Sequence, residues 1–553
     1  MENTSKRLPS RNYVNLIPQG LFLLSILLSV VTTYYVTGHY IDSDASSELV
    51  LAKHLAETGQ ILSQDWYYST ELRVLNTQLV YAPLFLIFED WHMVRFVGAL
   101  ILQAIMICAY AFLLHEAGVS RRVFYLSASL LLLPVSVAYG RIVLYHCFYI
   151  PHIALSFFLV GLTLGFAQKI SWRSWKPWLR LFLLLLFSFI GGLGGIRQLM
   201  ITHAPLALSL VVLFLSQNQQ KNGSVYPFSF EQYQAILCAL ISSLSSVLGF
   251  KGNGILSDSY SFFSQSETRL GFIEFTEFND ILYGFFHQFG FRDNVKMLTL
   301  TGILSLAGIF AGIYSIIVSV KEISAGRAVN DKAFVIQSFF FYYTATMLAV
   351  FIVTGKYQSY YFYLYLLFCL SWVSPLLFIH LSKLFSQKSS ITMQKLLILL
   401  TIVILFINGF ANLTYFNGKR VVDQTYEGLT FRDTEKVQKL ENSISYLMKN
   451  NYDIGYATFW ESNILAELSD GQVRTVTVTC NQNTGSLSCY RWLTLNSLIS
   501  TPKEKPFVLL DISYQNAFAS SEISQYCTLA FEDDYHCIYD IRDYNAFVQS
   551  VEN

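Results

Sequence analysis

Apolar runs long enough to cross a bilayer as helices of about 20 residues recur along the whole chain, near 17–37, 94–115, 122–138, 148–168, 180–195, 203–217, 232–250, 297–320, 334–355, 360–382 and 395–415. Backbone polar groups in lipid must be satisfied inside their own segment or a closed barrel, so a chain built this way folds as a bundle of membrane-spanning helices. The charged fraction agrees: 13% of the 553 residues, where a soluble domain carries about 25%. Basic and acidic residues balance at 37 each. That balance leaves no basic excess for nucleic acid.

The basic residues of the connectors fall on alternate sides of the runs. Lys6, Arg7 and Arg11, then Arg121 and Arg122, then Lys169, Arg173, Lys176 and Arg180, then Lys321, Arg327 and Lys332, and finally Lys383, Lys388 and Lys395 all face the cytoplasm by the positive-inside rule. About eleven spans then put the N-terminus inside and the C-terminus outside a plasma membrane. The first run has a basic lead but no small-residue cleavage site after it and reads as a retained helix. Three polar stretches, 38–93, 251–296 and 416–553, fall outside. The expected organisation is a polytopic membrane domain over 1–415 and an extracytoplasmic α/β domain over 416–553, whose helical and strand patterns alternate. That last segment has no Gly-rich phosphate loop and no G-x-S-x-G elbow.

Four of the cysteines, Cys480, Cys489, Cys527 and Cys537, lie in the last segment. "CTLAFEDDYHC" alternates around an acidic turn, so Cys527 and Cys537 are expected to bridge a hairpin and Cys480 to pair with Cys489, as an oxidising compartment permits.

The first external stretch opens on "IDSDASSELVLAKHLAETG". Its apolar spacing, free of internal proline and glycine, predicts an amphipathic helix along the membrane, ended by Gly59. A second helix is expected after "DWYYSTELRVLNTQ" and before Pro83. Asp42 and Asp44 form a D-x-D pair at the start of the first. One reading makes this an N-cap, with Asp44 accepting backbone N–H bonds and Glu48 on a solvated face; the other makes it chemistry.

The wider pattern resembles the GT-C superfamily of membrane glycosyltransferases, which includes the protein O-mannosyltransferases and the aminoarabinose transferases of lipid A. There the first external loop opens with Asp-Glu, a helix reads roughly A-R-x-x-x-x-x-G, and D-W follows. Here Asp44 stands in the place of that aspartate, Ala52 and Lys53 keep the spacing, Gly59 closes the helix, and Asp65-Trp66 comes a few residues later. The chain departs at Ala45, where the motif has glutamate. Glu48 lies one helical turn beyond Asp44, on the same face.

The resemblance implies a GT-C-like fold and transfer of a sugar from a polyprenyl-phosphate donor to an envelope glycan or glycolipid, with inversion. It makes Asp44 the base that takes the acceptor's proton. Asp42 and Glu48 would orient it or hold a divalent cation such as Mg2+ or Mn2+. Cations must steady the departing phosphate. Arg141, His146 and His152 lie at the outer ends of spans three and four, and Arg197 and His203 in the next external connection. Lys356, beside a run of tyrosines at the outer end of span nine, resembles a donor-phosphate ligand. Glu71 and Arg73 either line an acceptor groove or pair with each other.

Two other classes stay open. A transporter or flippase for lipid-linked saccharides would concentrate charge at the bilayer midplane and show paired halves with broken helices, and neither pattern stands out. A non-catalytic assembly protein would keep the fold and use the acidic loop only as a helix cap.

Overall fold

The computed structural model describes residues 13–69, 72, 74–222, 230–262, 271–274, 278–291, 295–325, 333–354, 369–386, 393–416, 433–500 and 504–551. Every apolar run of the sequence carries a helix in the described residues. In chain order these are α1 (Tyr13–His39), α4 (Trp91–Glu116), α5 (Arg121–Leu132), the bent pair α6 (Val137–Arg141) and α7 (Ile150–Leu164), α8 (Trp175–Leu193), α9 (Ala204–Asn222), α10 (Phe230–Ser257), α12 (Leu300–Ala325), α13 (Ala333–Thr354), α14 (Cys369–Ser386) and α15 (Met393–Phe416). Among the described residues five are long and apolar enough to cross a membrane, six if the pair bent by 102° is one span. Leu240, Leu244 and Leu248, four apart on α10, are more than half exposed, as a lipid-facing stripe requires. The chain is a multi-pass membrane protein.

The helices pack as neighbours α1 with α5, α4 with α7, α9 with α13, and α8 with α10. The last pair touches backbone to backbone. A Cβ on Gly192 would come within 2.0 Å of the Ser246 carbonyl, and one on Gly249 within 2.0 Å of the Phe189 carbonyl. Glycine is required there by close helix approach, as is common between membrane helices.

Between α1 and α4 lie α2 (Ser43–Thr58), β1 (Tyr67–Tyr68) and α3 (Gln78–Leu84); β1 pairs with β2 (Ser261–Phe262). α2 stops at Gly59, whose φ of 66° closes the helix in the left-handed region, where glycine has no Cβ to clash. Instead of lying along a lipid surface, α2 is wedged between two cores. Leu49 and Ala52 join the core of the helical bundle, and Leu51 and Leu55 join the core of the C-terminal domain. The second helix begins at Gln78 and takes Pro83 into its last turn.

After α11 (Phe278–His287) and the last spans, the C-terminal domain begins with α16 (Asp433–Lys449). Its six-stranded sheet, in the order β5-β4-β3-β6-β8-β7, uses β3 (Ile454–Thr458), β4 (Arg474–Cys480), β5 (Leu487–Cys489), β6 (Phe507–Asp511), β7 (Cys527–Glu532) and β8 (His536–Ile541). The central strands β4, β3 and β6 are parallel, and the outer ones are antiparallel. α17 (Phe459–Leu468) leaves β3 and packs against α2. Parallel strands are expected to be covered on both faces. One face carries α16 and α17, and the other carries the first-loop residues Trp66, Tyr68 and Leu72.

The expected disulfides are not formed: Cys480, Cys489, Cys527 and Cys537 are all free thiols. β7 and β8 do form a hairpin, but its register sets Cys527 opposite Ile541 and Cys537 opposite Glu532. The two sulfurs are thus four residues out of step, about 14 Å along the strand. Cys489 lies opposite Val478, not Cys480, a diagonal of about 7–8 Å that exceeds disulfide reach.

Candidate active site

Helix α2 starts at Ser43 because Asp42, at φ −134° and ψ 173°, is still extended. Asp42 is therefore the N-cap, in place of the expected Asp44: its Oδ1 accepts the Ala45 N–H at 2.9 Å. Its other oxygen, Oδ2, takes the Arg141 guanidinium and lies 3.0 Å from His146 Nε2. Asp42 is 1% exposed.

Arg141 and His146 reach it because α6 does not run on smoothly into α7. The turn Ile142–His146 is a π-helix, and Cys147 sits at φ 53°. A π-turn rotates successive side chains relative to an α-helix and occurs frequently at functional sites. Burial by itself would raise the Asp42 carboxyl, but the neighbouring His146 and Arg141 outweigh it. Together with the His146 and Ala45 hydrogen bonds they hold it well below the ordinary carboxylate range.

Asp44 lies in the first turn of α2, half-buried, two residues from this cluster. Glu48, one turn on, accepts from Asn76 Nδ2 at 3.2 Å and from the Thr77 hydroxyl, tying α2 to the start of α3. The three carboxylates thus have different surroundings. Among the described residues no group of three His, Cys, Asp or Glu side chains is placed to hold a metal ion.

An aromatic chain leads away from the cluster. The His146 ring lies 5.2 Å from Phe148, which lies 4.5 Å from Tyr149, and the Arg197 guanidinium sits 5.7 Å over the Tyr149 ring. His152 is 6.4 Å from the same tyrosine. Arg197 is thus linked to the Asp42 cluster through a series of tilted ring contacts. His203 ends a second π-turn, Leu199–His203, and is 3% exposed. Gln198 Nε2 fastens that turn to α7 by donating to Thr202 at 2.7 Å and to Ser156 at 3.2 Å. Glu71, Arg73 and Lys356 lie outside the described residues.

Sequence reasoning missed Arg95 and Glu467. Arg95 stands in the second turn of α4 and is fully buried. It gives Nε and Nη2 to the Glu467 carboxylate, the latter at 2.6 Å, Nη2 to the Ala45 carbonyl at 2.9 Å, and Nη1 to the Tyr145 carbonyl at 3.4 Å. Ala45, where the resembling motif has glutamate, is itself fully buried. The carboxylate that shares Arg95 with its carbonyl comes from α17. An ionisable residue inside an apolar helix is itself a signal of function, although its partner 372 residues later leaves no trace nearby.

Asp65 and Trp66, the D-W pair, turn out to join the first loop to the C-terminal domain. The Asp65 carboxylate accepts the Ser497 N–H at 2.7 Å and its hydroxyl at 2.5 Å, and Tyr67 exchanges backbone bonds with Thr494 and Leu493. Trp66 is 1% exposed.

No protein-family model and no curated protein matches the chain. Solved structures do. ArnT from Cupriavidus metallidurans in the apo state superposes with a TM-score of 0.54 at 11% identity, over 94% of this chain and 98% of its own. The same protein bound to undecaprenyl phosphate gives 0.52 at 9% identity over the same shares. The archaeal oligosaccharyltransferase AglB from Archaeoglobus fulgidus, in complex with an inhibitory peptide and a dolichol-phosphate, aligns at 0.47 and 10% identity, over 92% of this chain and 71% of its own. The ArnT likeness spans the helical bundle and the C-terminal domain together. The fold is the GT-C-like one that the first loop implied.

Proposed function

We propose that the protein is a membrane glycosyltransferase that moves a sugar from a polyprenyl-phosphate donor to a hydroxyl of an envelope glycan or glycolipid, with inversion at the anomeric carbon. The observation that carries the reading is the buried Asp42–Arg141–His146 cluster beside Asp44 at the start of α2. It lies in a chain with the fold of ArnT, a protein solved with undecaprenyl phosphate bound.

The acceptor oxygen attacks the anomeric carbon, the bond from that carbon to the phosphate oxygen breaks, and the lipid phosphate leaves with one more negative charge. The acceptor's proton goes to a carboxylate. Asp44 takes this role, because both Asp42 oxygens are committed to the helix cap and to Arg141 and His146. A carboxylate held so far below its ordinary range is a poor proton acceptor. Asp42 acts instead as a fixed anion that aims Arg141. The Arg141 side chain remains 17% exposed. Arg141, Arg197 and Lys356 are the candidates for the developing phosphate charge, which preorganised cations stabilise most where water is excluded.

The test is transfer by purified protein in lipid from a panel of radiolabelled polyprenyl-phosphate sugars to an envelope extract, comparing wild type with D44N. Removing a general base costs about 10²–10⁴-fold in kcat. D44N should show that loss at an unchanged melting temperature. Unchanged turnover in D44N would move the base elsewhere, and wild type inert with every donor would sink the proposal.

A further inference from the structure

We infer that Arg95 is a positioning residue through which the C-terminal domain sets the geometry of the carboxylate site, an inference that rests on the transferase reading above. The guanidinium is fully buried and its contacts are divided among three separate parts of the chain. Glu467, on α17 of the C-terminal domain, takes Nε and Nη2. The Ala45 carbonyl takes Nη2 at 2.9 Å, and the Tyr145 carbonyl takes Nη1 at 3.4 Å.

Those two carbonyls belong to the segments that carry the site. Ala45 follows Asp44 directly, and its N–H is held by Asp42 at 2.9 Å, so residue 45 is fixed through both its N–H and its carbonyl. Tyr145 immediately precedes His146, which contacts Asp42. A shift of Glu467 must therefore move Arg95, and Arg95 cannot move without releasing the backbone on either side of Asp42.

The bidentate fork explains why the residue is arginine. A planar guanidinium can hold a carboxylate on one edge and carbonyls with its remaining N–H groups, which a lysine ammonium cannot reproduce. The domain is seated beside this contact as well: Asp470 Oδ1 accepts the Trp91 N–H at 2.9 Å, capping the first turn of α4. Docking and site geometry thus meet on one helix end. A buried guanidinium must find acceptors for all its N–H groups, and here the two beyond Glu467 are backbone carbonyls of the segments that carry the site.

The experiment uses the full chain in lipid nanodiscs as wild type, E467Q, R95K and the swap R95E/E467R, with hydrogen exchange, melting temperature and initial transfer rates as readouts. In E467Q and R95K, peptides covering 43–49 and 142–150 should exchange at least about tenfold faster, while β3 and β6 stay protected. Transfer should show kcat lower by about 10- to 100-fold with the donor KM within about twofold, the signature of misplaced groups and not of lost binding.

The swap separates positioning from fastening. It restores an ion pair between the domains, but a carboxylate at position 95 has no N–H for the two carbonyls, so melting temperature should recover while kcat stays low. Exchange unchanged in both segments of E467Q and R95K, or kcat restored by the swap, overturns the inference. Should the swap not fold, E467Q decides through exchange and kcat. Wild type that transfers no sugar removes the transferase reading, and the exchange readout then decides separately whether Arg95 holds the two segments.

Discussion

At the scale of the residue, Asp42 separates structure from chemistry more sharply than its neighbours. Its folded value lies far below the 3.8 of a free aspartate, so its contribution to stability is complete above about pH 4 and is lost as pH falls below that. The melting temperature of wild type should consequently decline more steeply below pH 4 than that of D42N, which lacks the titrating group. At neutral pH D42N keeps a side chain able to cap the helix but strips Arg141 of its counter-charge, a loss of about 3 kcal/mol in thermal or chemical unfolding.

The cysteines make a second residue-scale case. Burial pushes the Cys480 thiol up to about 11, and those of Cys527 and Cys537 up to about 12, and the thiolate is the reactive form. Iodoacetamide at pH 8 should leave these three unlabelled in the folded protein and label them after denaturation without reductant. Labelling that requires reductant would restore the disulfides.

At the scale of the element, the close crossing of α8 and α10 is the most exacting contact. The methyl of G249A would meet the Phe189 carbonyl and force the helices apart, at about 1–3 kcal/mol by unfolding in detergent. Much at this scale was legible in the sequence. Apolar runs found the helices of the bundle, because a bilayer rewards length and composition whatever the neighbours are. The absence of proline and glycine before Gly59 found α2 and its end.

What escaped was decided across space. D-x-D offers two equivalent caps, and only the backbone at residue 42 chooses between them. Alternation around an acidic turn found the β7–β8 hairpin but not its register, so the cysteines were paired wrongly. Arg95 at the edge of an apolar run looks like any interfacial cation until α17 supplies Glu467. The two-faced burial of α2 was hidden for the same reason, since Leu51 and Leu55 are covered by a domain some four hundred residues away.

At the scale of the whole molecule, bundle and C-terminal domain are joined through the first loop and the end of α4. Trp66 is the apolar centre of that joint. W66A should cost about 3–5 kcal/mol and speed hydrogen exchange in 61–68 and 493–498 together. Exchange that quickens on one side alone would show that the two parts are not one cooperative unit.

The bonds between Asp65 and Ser497 span 432 residues, and this separation has a consequence for how the protein is made. At roughly 5–20 residues per second, the ribosome delivers Ser497 about 20–90 s after Asp65. The acidic loop must wait that long, already past the first span, with its apolar face uncovered. A chain cut short by a premature stop or a nick before α17 would carry every residue of the Asp42 cluster and still lack Glu467. Completion of synthesis is thereby a condition for the Arg95–Glu467 contact to form, and the unfinished protein exposes the leucines and tryptophan of its own loop to whatever surveillance the membrane has.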